Sequence, residues 1–395
     1  MPSPTFQQDE LGGADDQVSL VLGGKEILIA KSYEVKTSVF TQPCAFALQF
    51  GWGDTAKDLL ALAPPQTPFE LRIGGITQFT GLTDGRSASG SATGGTTIQV
   101  RGRDGLAKLY DGECVADQTF SDITYRDLVV AVLFETIGDF VLVEGNGANR
   151  KAVSGYTSSS KVVIDEATDD AGLDAKTEVT KTANKLQIKA GEKWHTFLMR
   201  EFNRSGLFLW QGANSEFILA TVNTDQAPLY RFIRRHAQSR GNVNVKEFSF
   251  DDDTAHRFSE CVVLGRGGDS KAGTKRAKAS YADAEMAAYG VNRPHVVSDP
   301  HCDNRSRADH LAHRTIAEAR RSSWKLEYTI AGHSAPTVDG GRAIVVRDTM
   351  AQVTDEELGI DMALYVGDVV YKRHPQTETT VTLYRPEDLV FGGES

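Results

Sequence analysis

The segment from Asp299 to Arg314 concentrates side chains that could bind a metal ion. It holds three histidines, one cysteine and three aspartates within sixteen residues. Five of the nine histidines in the chain lie between His295 and His333. Imidazole, thiolate and carboxylate groups are the usual protein ligands of zinc. The first hypothesis for this stretch is therefore a metal centre, and with it an enzyme.

The helical pattern of the same stretch argues against a metal centre. A helix that begins near residue 304 or 306 carries an apolar face made of Ala308, Leu311, Ala312, Ile316 and Ala319. His310 then lies on the opposite face, and His313 is about 60° from it, so the pair could share a metal ion. Three arginines flank them and would repel a cation: Arg307, Arg314 and Arg321. No H-E-x-x-H spacing supplies a catalytic base.

We therefore predict a solvated or interfacial helix face with no metal ion and no cofactor. His310 and Arg314 are its candidate contacts with a partner. A third candidate contact is Trp52, which lies among glycines in "QFGWGD". Tryptophan is enriched at interface hot spots, but a position in the core or at its rim is the commoner role, so both interpretations stay open.

Other motifs with possible chemistry are incomplete. The loop "GRGGDSKAGTKRAK" has the glycine separation of a phosphate-binding loop at Gly268 and Gly273, but Thr274 precedes Lys275, which reverses the required order. No G-x-S-x-G motif is present. The run Asp251–Asp253 is contiguous, so we interpret it as a solvated turn and not as an acid/base pair. We predict no catalytic residues.

Composition limits the class of protein. The net charge is −10, which disfavours sequence-independent binding to nucleic acid, because that affinity comes from cations that neutralise phosphates. No apolar run approaches the length of a membrane span, so we expect no membrane anchor and no sequence-specific contact with nucleic acid. The four cysteines are scattered, which fits synthesis in a reducing cytoplasm. Residues 1–16 resemble no signal peptide, and we predict a tail that is disordered or ordered by a partner.

The elements that would position these residues are mainly β strands. Residues 17–115 contain short alternating strands with hairpin glycines at Gly23-Gly24 and Gly74-Gly75, which predicts a small antiparallel barrel. The Ser/Gly-rich segment that follows Asp84 reads as a mobile loop.

Two further regions complete the predicted organisation. Residues 116–243 predict an α+β unit, with one helix capped by Ser121 or Thr124 and a second that begins near Trp194. Alternating strands return at 244–268 and at 334–392, which we assign to a second, discontinuous barrel of the same topology. Residues 270–333 interrupt it and continue the α+β unit. The predicted fold class is mainly β, with two small antiparallel barrels and an α+β insertion.

Several segments, taken in order, resemble a known family. They are "VSLVLGGKEI", "FELRIGGITQFTGLTDG", "TYRDLVVAVLFETIG", "AGEKWHTFLMREFNRSGLFLW", "RPHVVSDPHCDNRSRADHLAHR" and the C-terminal run from "RAIVVRDTMAQV" to "YRPEDLVF". Together they cover about residues 17–392 and resemble the baseplate hub proteins of Mu-like contractile-tailed phages, part of the hub family of contractile injection systems.

This resemblance implies a structural protein and not an enzyme. Such hubs form trimers with two small barrels in each chain, which join a six-fold tail tube to a three-fold central spike and form part of the channel for DNA. The implied partners are the tail tube or a distal tube-initiator ring, the spike, the tape-measure protein and the baseplate wedge proteins. The implied location is the tail baseplate of a virion, after synthesis in the host cytoplasm.

Two alternatives from other classes remain open. One is a tail-associated hydrolase that uses the middle of the chain on the cell wall, although residues 116–245 supply no nucleophile–base pair. The other is a tail protein that binds a host-surface glycan, which would need an exposed aromatic groove.

Overall fold

The structure is a computed structural model of the 395-residue chain. It describes residues 16–28, 31–41, 43–51, 61–91, 95–120, 123–138, 141–144, 151–153, 161–164, 182–183, 186–204, 206–213, 215–236, 243–265, 277–302, 305–374 and 376–389. The predicted N-terminal tail, apart from Asp16, lies outside the described residues, as does most of the polar stretch 145–190.

The first β unit contains seven strands. They are β1 Val18–Leu22, β2 Lys25–Leu28, β3 Ser32–Ser38, β4 Ala45–Gly51, β5 Pro68–Ile73, β6 Ile76–Ser91 and β7 Gly95–Asp104. Gly23 and Gly24 separate β1 from β2, and Gly74 and Gly75 separate β5 from β6, with φ angles of 55°, 77°, 58° and 77°. Glycine adopts this left-handed backbone without strain, and both predicted hairpins are confirmed by the antiparallel pairing of their strands.

The second β unit contains six strands from a later part of the chain. They are β17 Tyr230–Arg234, β18 Glu247–Asp252, β22 Trp324–Ala331, β25 Thr349–Asp355, β26 Ile360–Arg373 and β27 Thr377–Tyr384. A short hairpin of β23 Ser334–Pro336 and β24 Arg342–Ile344 lies between β22 and β25. Side chains that alternate between buried and less buried along β25 and β27 turn one face of the unit to the core.

The two β units share one strand order. In the first unit the order is β3-β4-β7-β6-β5-β1, and in the second it is β18-β22-β27-β26-β25-β17. The long strand of each unit has a bulge at a corresponding point, between Thr83 and Gly85 in β6 and between Val366 and Asp368 in β26. One pairing differs, because β1 is antiparallel to β5 whereas β17 is parallel to β25.

The two units are also joined edge to edge. The second half of β26 pairs antiparallel with β3, so that thirteen strands form one continuous hydrogen-bonded sheet. The predicted organisation of two small barrels did not include this join. The physical reason is that β3 and the bulged half of β26 would otherwise be open edges, and open backbone donors and acceptors favour pairing.

Three strands belong to a different unit from the one given by the predicted domain boundaries. Strands β17 and β22 belong to the second β unit, although residues 116–243 and 270–333 were assigned to the α+β part. A third strand, β19 Glu260–Leu264, was assigned to the second barrel but belongs to a separate three-stranded sheet. Alternation identifies strands of this kind, but it does not say which sheet a strand joins.

The first insertion lies between β7 and β17. Its elements are α1 Ala107–Asp111, β8 Gln118–Phe120, β9 Ile123–Thr124, α2 Tyr125–Thr136, β10 Val141–Glu144, β11 Lys151–Val153, β12 Lys161–Ile164, β13 Thr182–Ala183, β14 Leu186–Ile188, α3 Trp194–Phe202, β15 Phe208–Gln211 and β16 Glu216–Ala220. The hydroxyl of Thr124 accepts a hydrogen bond from the Asp127 backbone N–H at 3.0 Å, which confirms one of the two predicted caps of α2. The second predicted helix is α3, which begins at Trp194 as expected.

The second insertion lies between β18 and β22. Its elements are β19, β20 Lys278–Ala282, α4 Ala284–Ala288, β21 Pro294–Ser298 and α5 Arg305–Ser323. The strand order is β20-β19-β21, and Ala308, Ala312 and Ile316 of α5 pack with the buried side chains of β19. The chain is therefore mainly β with an α+β insertion in two pieces, as predicted. None of the helices in the described residues has the length and hydropathy required to cross a lipid bilayer.

One predicted loop is a strand instead. The Ser/Gly-rich segment after Asp84 continues β6 as far as Ser91, and its pairing with β7 resumes beyond the bulge. Glycine and serine have low strand propensity, so the sequence alone favours a loop. The register imposed by β7 overrides that preference.

Candidate interaction surfaces

The β3–β26 junction shows how one edge of a β unit is satisfied. Six residue pairs lie opposite each other along it, from Ser38 opposite Asp368 to Tyr33 opposite Arg373. The Tyr33 hydroxyl contacts Nε2 of His333 at 2.7 Å, and Nδ1 of His333 contacts Oγ1 of Thr379 at 2.8 Å. The junction is thus made by main-chain pairing and by a buried chain of polar side chains from both units.

Burial holds two titratable side chains of the junction, His333 and Tyr33, in neutral form. Burial lowers the pKa of His333 to about 3 and raises the pKa of the Tyr33 hydroxyl to about 12. The two groups therefore keep one protonation state across the physiological pH range. The junction behaves as a permanent structural join and not as a pH switch.

Strand β18 occupies the position in the second unit that β3 occupies in the first. In the first unit Tyr33 of β3 lies opposite Leu48 of β4. In the second unit Phe248 of β18 lies opposite Tyr328 of β22, so Phe248 is the equivalent of Tyr33. Tyr33 is 6% exposed, but Phe248 is 45% exposed, because in the described structure β18 pairs with β22 alone. Phe250, the next residue on the same face, is 37% exposed. We call this surface the β18 edge, residues 247–253.

Both aromatic rings of the β18 edge are held from one side only. The guanidinium carbon of Arg234 lies 3.6 Å from the ring centroid of Phe248. The ring of Phe250 packs edge to face on Trp324, with centroids 5.6 Å apart. Each ring is therefore positioned by its own unit while its outer surface faces solvent, which is typical of a surface prepared for a partner.

A second open edge lies on β6. We call it the β6 edge, residues 85–90, with the sequence Gly-Arg-Ser-Ala-Ser-Gly. These residues pair with β7 on one side, and β5 covers only the part of β6 that ends at Leu82. Arg86, Ser87, Ala88, Ser89 and Gly90 are exposed. The surface is flat, because none of its side chains except that of Arg86 is large.

The two edges carry opposite charge. Asp251, Asp252 and Asp253 are exposed at the end of the β18 edge, and Arg86 is exposed at the start of the β6 edge. Within the described residues no ion pair joins Arg86, Asp251 or Asp252 to another side chain. The acidic run was predicted to be a turn, but Asp251 and Asp252 lie in strand β18. Their charges are therefore fixed along an edge.

Solved structures of tail proteins share this architecture. A tail protein from Neisseria meningitidis MC58 superposes with a TM-score of 0.71 at 20% sequence identity, covering 95% of this chain and 98% of that one. The 43 kDa tail protein of prophage MuSo2 from Shewanella oneidensis gives a TM-score of 0.68 at 20% identity, covering 95% and 99%. A chain of the half-lidded Francisella PdpA–VgrG complex gives 0.52 at 11% identity, covering 96% of this chain and 59% of that one. No protein-family model and no curated protein matches the sequence.

This chain has the fold of phage tail proteins. Both superpositions cover 95% of this chain, and so include its two β units and its two insertions. The predicted resemblance to baseplate hub proteins is thereby confirmed at the level of the fold.

Arg314 holds the two insertions of this tail-protein fold together. Its side chain is 1% exposed, and Nη1 donates to the backbone carbonyls of Phe202 at 3.2 Å and Leu207 at 3.0 Å. Nε donates to Glu318 at 2.8 Å, and the guanidinium lies 4.5 Å from the ring centroid of Phe208. The face of α5 that was predicted to be solvated or interfacial is therefore buried within the chain, because the first insertion packs on it.

The histidines of α5 are buried in the same way. His310 and His313 are both buried, and the His313 ring stacks on Tyr281 with centroids 3.6 Å apart. Burial lowers the pKa of His313. His295, by contrast, stacks on Phe258 in another part of the insertion. The cluster in sequence is thus dispersed in space, and the described residues contain no group of three or more ligands placed to hold a metal ion.

The remaining predicted contacts have different outcomes. Trp52 and the glycine-rich loop around Gly268 and Gly273 lie outside the described residues, so their predictions stay predictions. His310 and Arg314 face another part of the same chain, and a role for them in binding a second protein remains untested. The exposed residues that sequence reasoning missed are Arg86, Phe248 and Phe250. The signal for the two phenylalanines was their alternation in "KEFSFDDD", a strand that has no second strand paired with its outer side among the described residues.

Proposed function

We propose that this protein is the structural baseplate hub of a contractile tail, acting as a trimeric adapter between a six-fold tail tube and a three-fold central spike. The observation that carries the proposal is the presence of two β units with one strand order in a single chain. The tail-protein fold of the chain supports it.

The symmetry of a tail explains why two equivalent units would be useful. A tube with six-fold symmetry presents six identical surfaces at its end. Three chains with two similar units each present six similar surfaces, while the same three chains meet a three-fold spike as single copies. The proposed partners are therefore a second and third copy of this chain, the tube or a distal tube-initiator ring, and the spike, with the tape-measure and wedge proteins alongside.

The proposed location is the tail baseplate of a virion, after synthesis in the host cytoplasm. In that place the ring of β units would surround part of the channel for DNA. The net charge of −10 supports a passive conduit, because an acidic wall does not hold the phosphate backbone. The insertions would then lie outside the ring, where they leave the channel open.

A structural role, without catalysis, is part of the proposal. The cysteines of the chain are buried, and burial raises the pKa of the Cys44 and Cys302 thiols to about 12. Burial also keeps His333 neutral. Groups held in these forms serve packing and hydrogen bonding, whereas nucleophiles and general bases need accessible, tuned side chains.

The mass of the purified protein in solution tests the proposal. Sedimentation equilibrium should give three times the 43.0 kDa mass of one chain. A protein that stays monomeric at all concentrations would contradict the adapter role. Digestion of peptidoglycan by the same preparation would favour the hydrolase alternative, and specific retention on a glycan array would favour the glycan-binding one.

A further inference from the structure

Each β unit has two strand edges that can pair with a neighbouring unit: the outer strand, which is β3 or β18, and the half of the long strand β6 or β26 that lies beyond its bulge. Within the chain, one edge of each type is used. Inside the chain, the bulged half of β26 from the second unit pairs with β3 of the first unit. The equivalent of β26 in the first unit is β6, and the equivalent of β3 in the second unit is β18. These two equivalents are the β6 edge and the β18 edge, which have no such partner in the described structure.

The register of the two units can be aligned residue by residue. Gly85 and Asp368 are the first paired residues after their bulges, opposite Arg101 and Thr382. Starting from the next residue of each long strand, Arg86 or Val369, a row of directly opposite residues crosses four strands in each unit. The rows are Arg86, Val100, Leu48 and Tyr33 in the first unit, and Val369, Val381, Tyr328 and Phe248 in the second.

From this alignment we propose that copies of the chain associate by pairing the β6 edge of one copy antiparallel with the β18 edge of the next. The proposal rests on the trimeric hub proposed above and names its interface. Within the chain Val369 lies opposite Thr37, whose equivalent in β18 is Asp252. The same geometry between copies places Arg86 opposite Asp252, Ser87 opposite Asp251, Ala88 opposite Phe250 and Gly90 opposite Phe248.

The side chains of the two edges suit each other. Arg86 of one copy lies opposite Asp252 of the next, within the run Asp251–Asp253, and the two side chains form an attractive charge pair at each junction between copies. Ala88 and Gly90 lie on the same face as the exposed rings of Phe250 and Phe248, and their small size leaves room for the rings. In the chain's own junction the residues equivalent to these phenylalanines, Val35 and Tyr33, are buried.

The pairing is directional, so it extends from copy to copy. Each chain offers one β6 edge and one β18 edge, and such a heterologous interface forms either a closed ring or an open filament. If the new junction has the rotation of the chain's own β3–β26 junction, every unit in the ring has the same two neighbours. A ring of three chains then contains six equivalent junctions, in which every β3-type strand is paired with the outer half of a β6-type strand.

Directed disulfide formation tests the register. The full-length variant Ser87→Cys with Asp251→Cys places two thiols opposite each other on the face away from the phenylalanines, while the four native cysteines are buried. After mild oxidation, a non-reducing gel should show chains linked into dimers and trimers. The matched control, Ser87→Cys with Asp252→Cys, also removes one aspartate but turns the thiols to opposite faces, and it should link poorly.

Charge reversal gives an independent readout. Arg86→Asp should weaken association by roughly tenfold or more, and Arg86→Asp combined with Asp252→Arg should restore it. Both sites are exposed, so near-UV circular dichroism of the monomer should not change. A trimer that forms no directed disulfide and ignores the charge reversal would overturn this interface and leave the hub proposal standing. A monomeric wild-type protein would overturn the hub proposal itself.

Discussion

Strands β3 and β18 occupy the same position in two β units, yet one is buried and the other is exposed. Both pair with an equivalent inner neighbour, β4 or β22. Tyr33 and Val35 of β3 are 6% and 0% exposed, whereas Phe248 and Phe250 are 45% and 37% exposed. The two strands share an apolar alternation, so residue type does not explain the difference. The neighbour does, because only β3 has β26 on its outer side within the described structure.

The connections that follow these two strands differ as well. Residues 39–44 lead directly from β3 to β4, whereas the whole second insertion lies between β18 and β22. The first β unit is therefore continuous at this point, whereas the second is interrupted by the second insertion. A duplicated unit can keep its strand order while its loops diverge, since loops tolerate insertions that the paired strands do not.

The largest difference between the two strands should appear on adding a charge. Val35→Asp places a carboxylate in the buried junction and should destabilise the chain by about 4 kcal/mol or more. Phe250→Asp, its equivalent in β18, should cost about 1–2 kcal/mol, because the ring is only partly buried. Urea unfolding followed by tryptophan fluorescence measures both, at a protein concentration low enough to keep the chain monomeric. Equal losses in the monomer would show that the two strands have similar surroundings within one chain.

A smaller effect is expected in the pH dependence of folding stability, through His333 at the junction of the two units. His333 of the second unit is buried against Tyr33, with a pKa of about 3, below the value of about 6.5 expected in an unfolded chain. The unfolded chain therefore binds the proton more readily, and this contribution to stability is complete above pH 6.5 and lost as the pH falls towards 3.

The variant His333→Gln isolates this contribution. Between pH 6.5 and pH 4, the wild-type chain should lose about 2–3 kcal/mol more stability than the variant. His256→Gln is the matched control, since His256 is exposed and makes no ion pair within the described residues. Parallel pH profiles for wild type and His333→Gln would show that the junction does not bury this imidazole.

The features of the fold that depend on local sequence signals could be predicted from the sequence. The glycine hairpins, the Thr124 cap and the start of α3 at Trp194 are determined by neighbouring residues, and the discontinuous second unit follows from where alternation stops and resumes. The β3–β26 junction joins residues 33–38 to 368–373, and no local pattern indicates so distant a pairing. For the same reason the strand character of the Ser/Gly segment in β6 was missed.

The burial of the candidate contacts on α5 could not be predicted from the sequence, for a different reason. His310 and Arg314 have polar side chains on one face of a helix, a pattern typical of a solvated surface. Arg314 is buried because two backbone carbonyls of the first insertion accept its hydrogen bonds. Phe248 and Phe250 are the opposite case, since apolar alternation alone favours a buried face and here that face is partly open. In both cases a distant or missing neighbour decides the burial.

The smallest predicted effect on stability concerns α5 in the second insertion, which lies in the connection from β18 to β22. Arg314→Met keeps the apolar stem but removes the donors to Phe202 and Leu207, and it should cost about 2 kcal/mol. Arg305→Met, on an exposed position of the same helix, should change stability by less than about 0.5 kcal/mol. Urea unfolding compares the two. Equal stability of both variants would mean that Arg314 does not clamp the insertions together.

Electron cryomicroscopy of the assembled particle tests most directly whether the two β units act as equivalents. Our account predicts three chains around one axis, with six β units in a ring and each β18 edge paired to a β6 edge. The β3–β26 junction and the junction between chains should superpose, with Arg86 opposite Asp252. A particle in which the two units occupy unrelated positions, or in which Phe248 and Phe250 remain open to solvent, would contradict it.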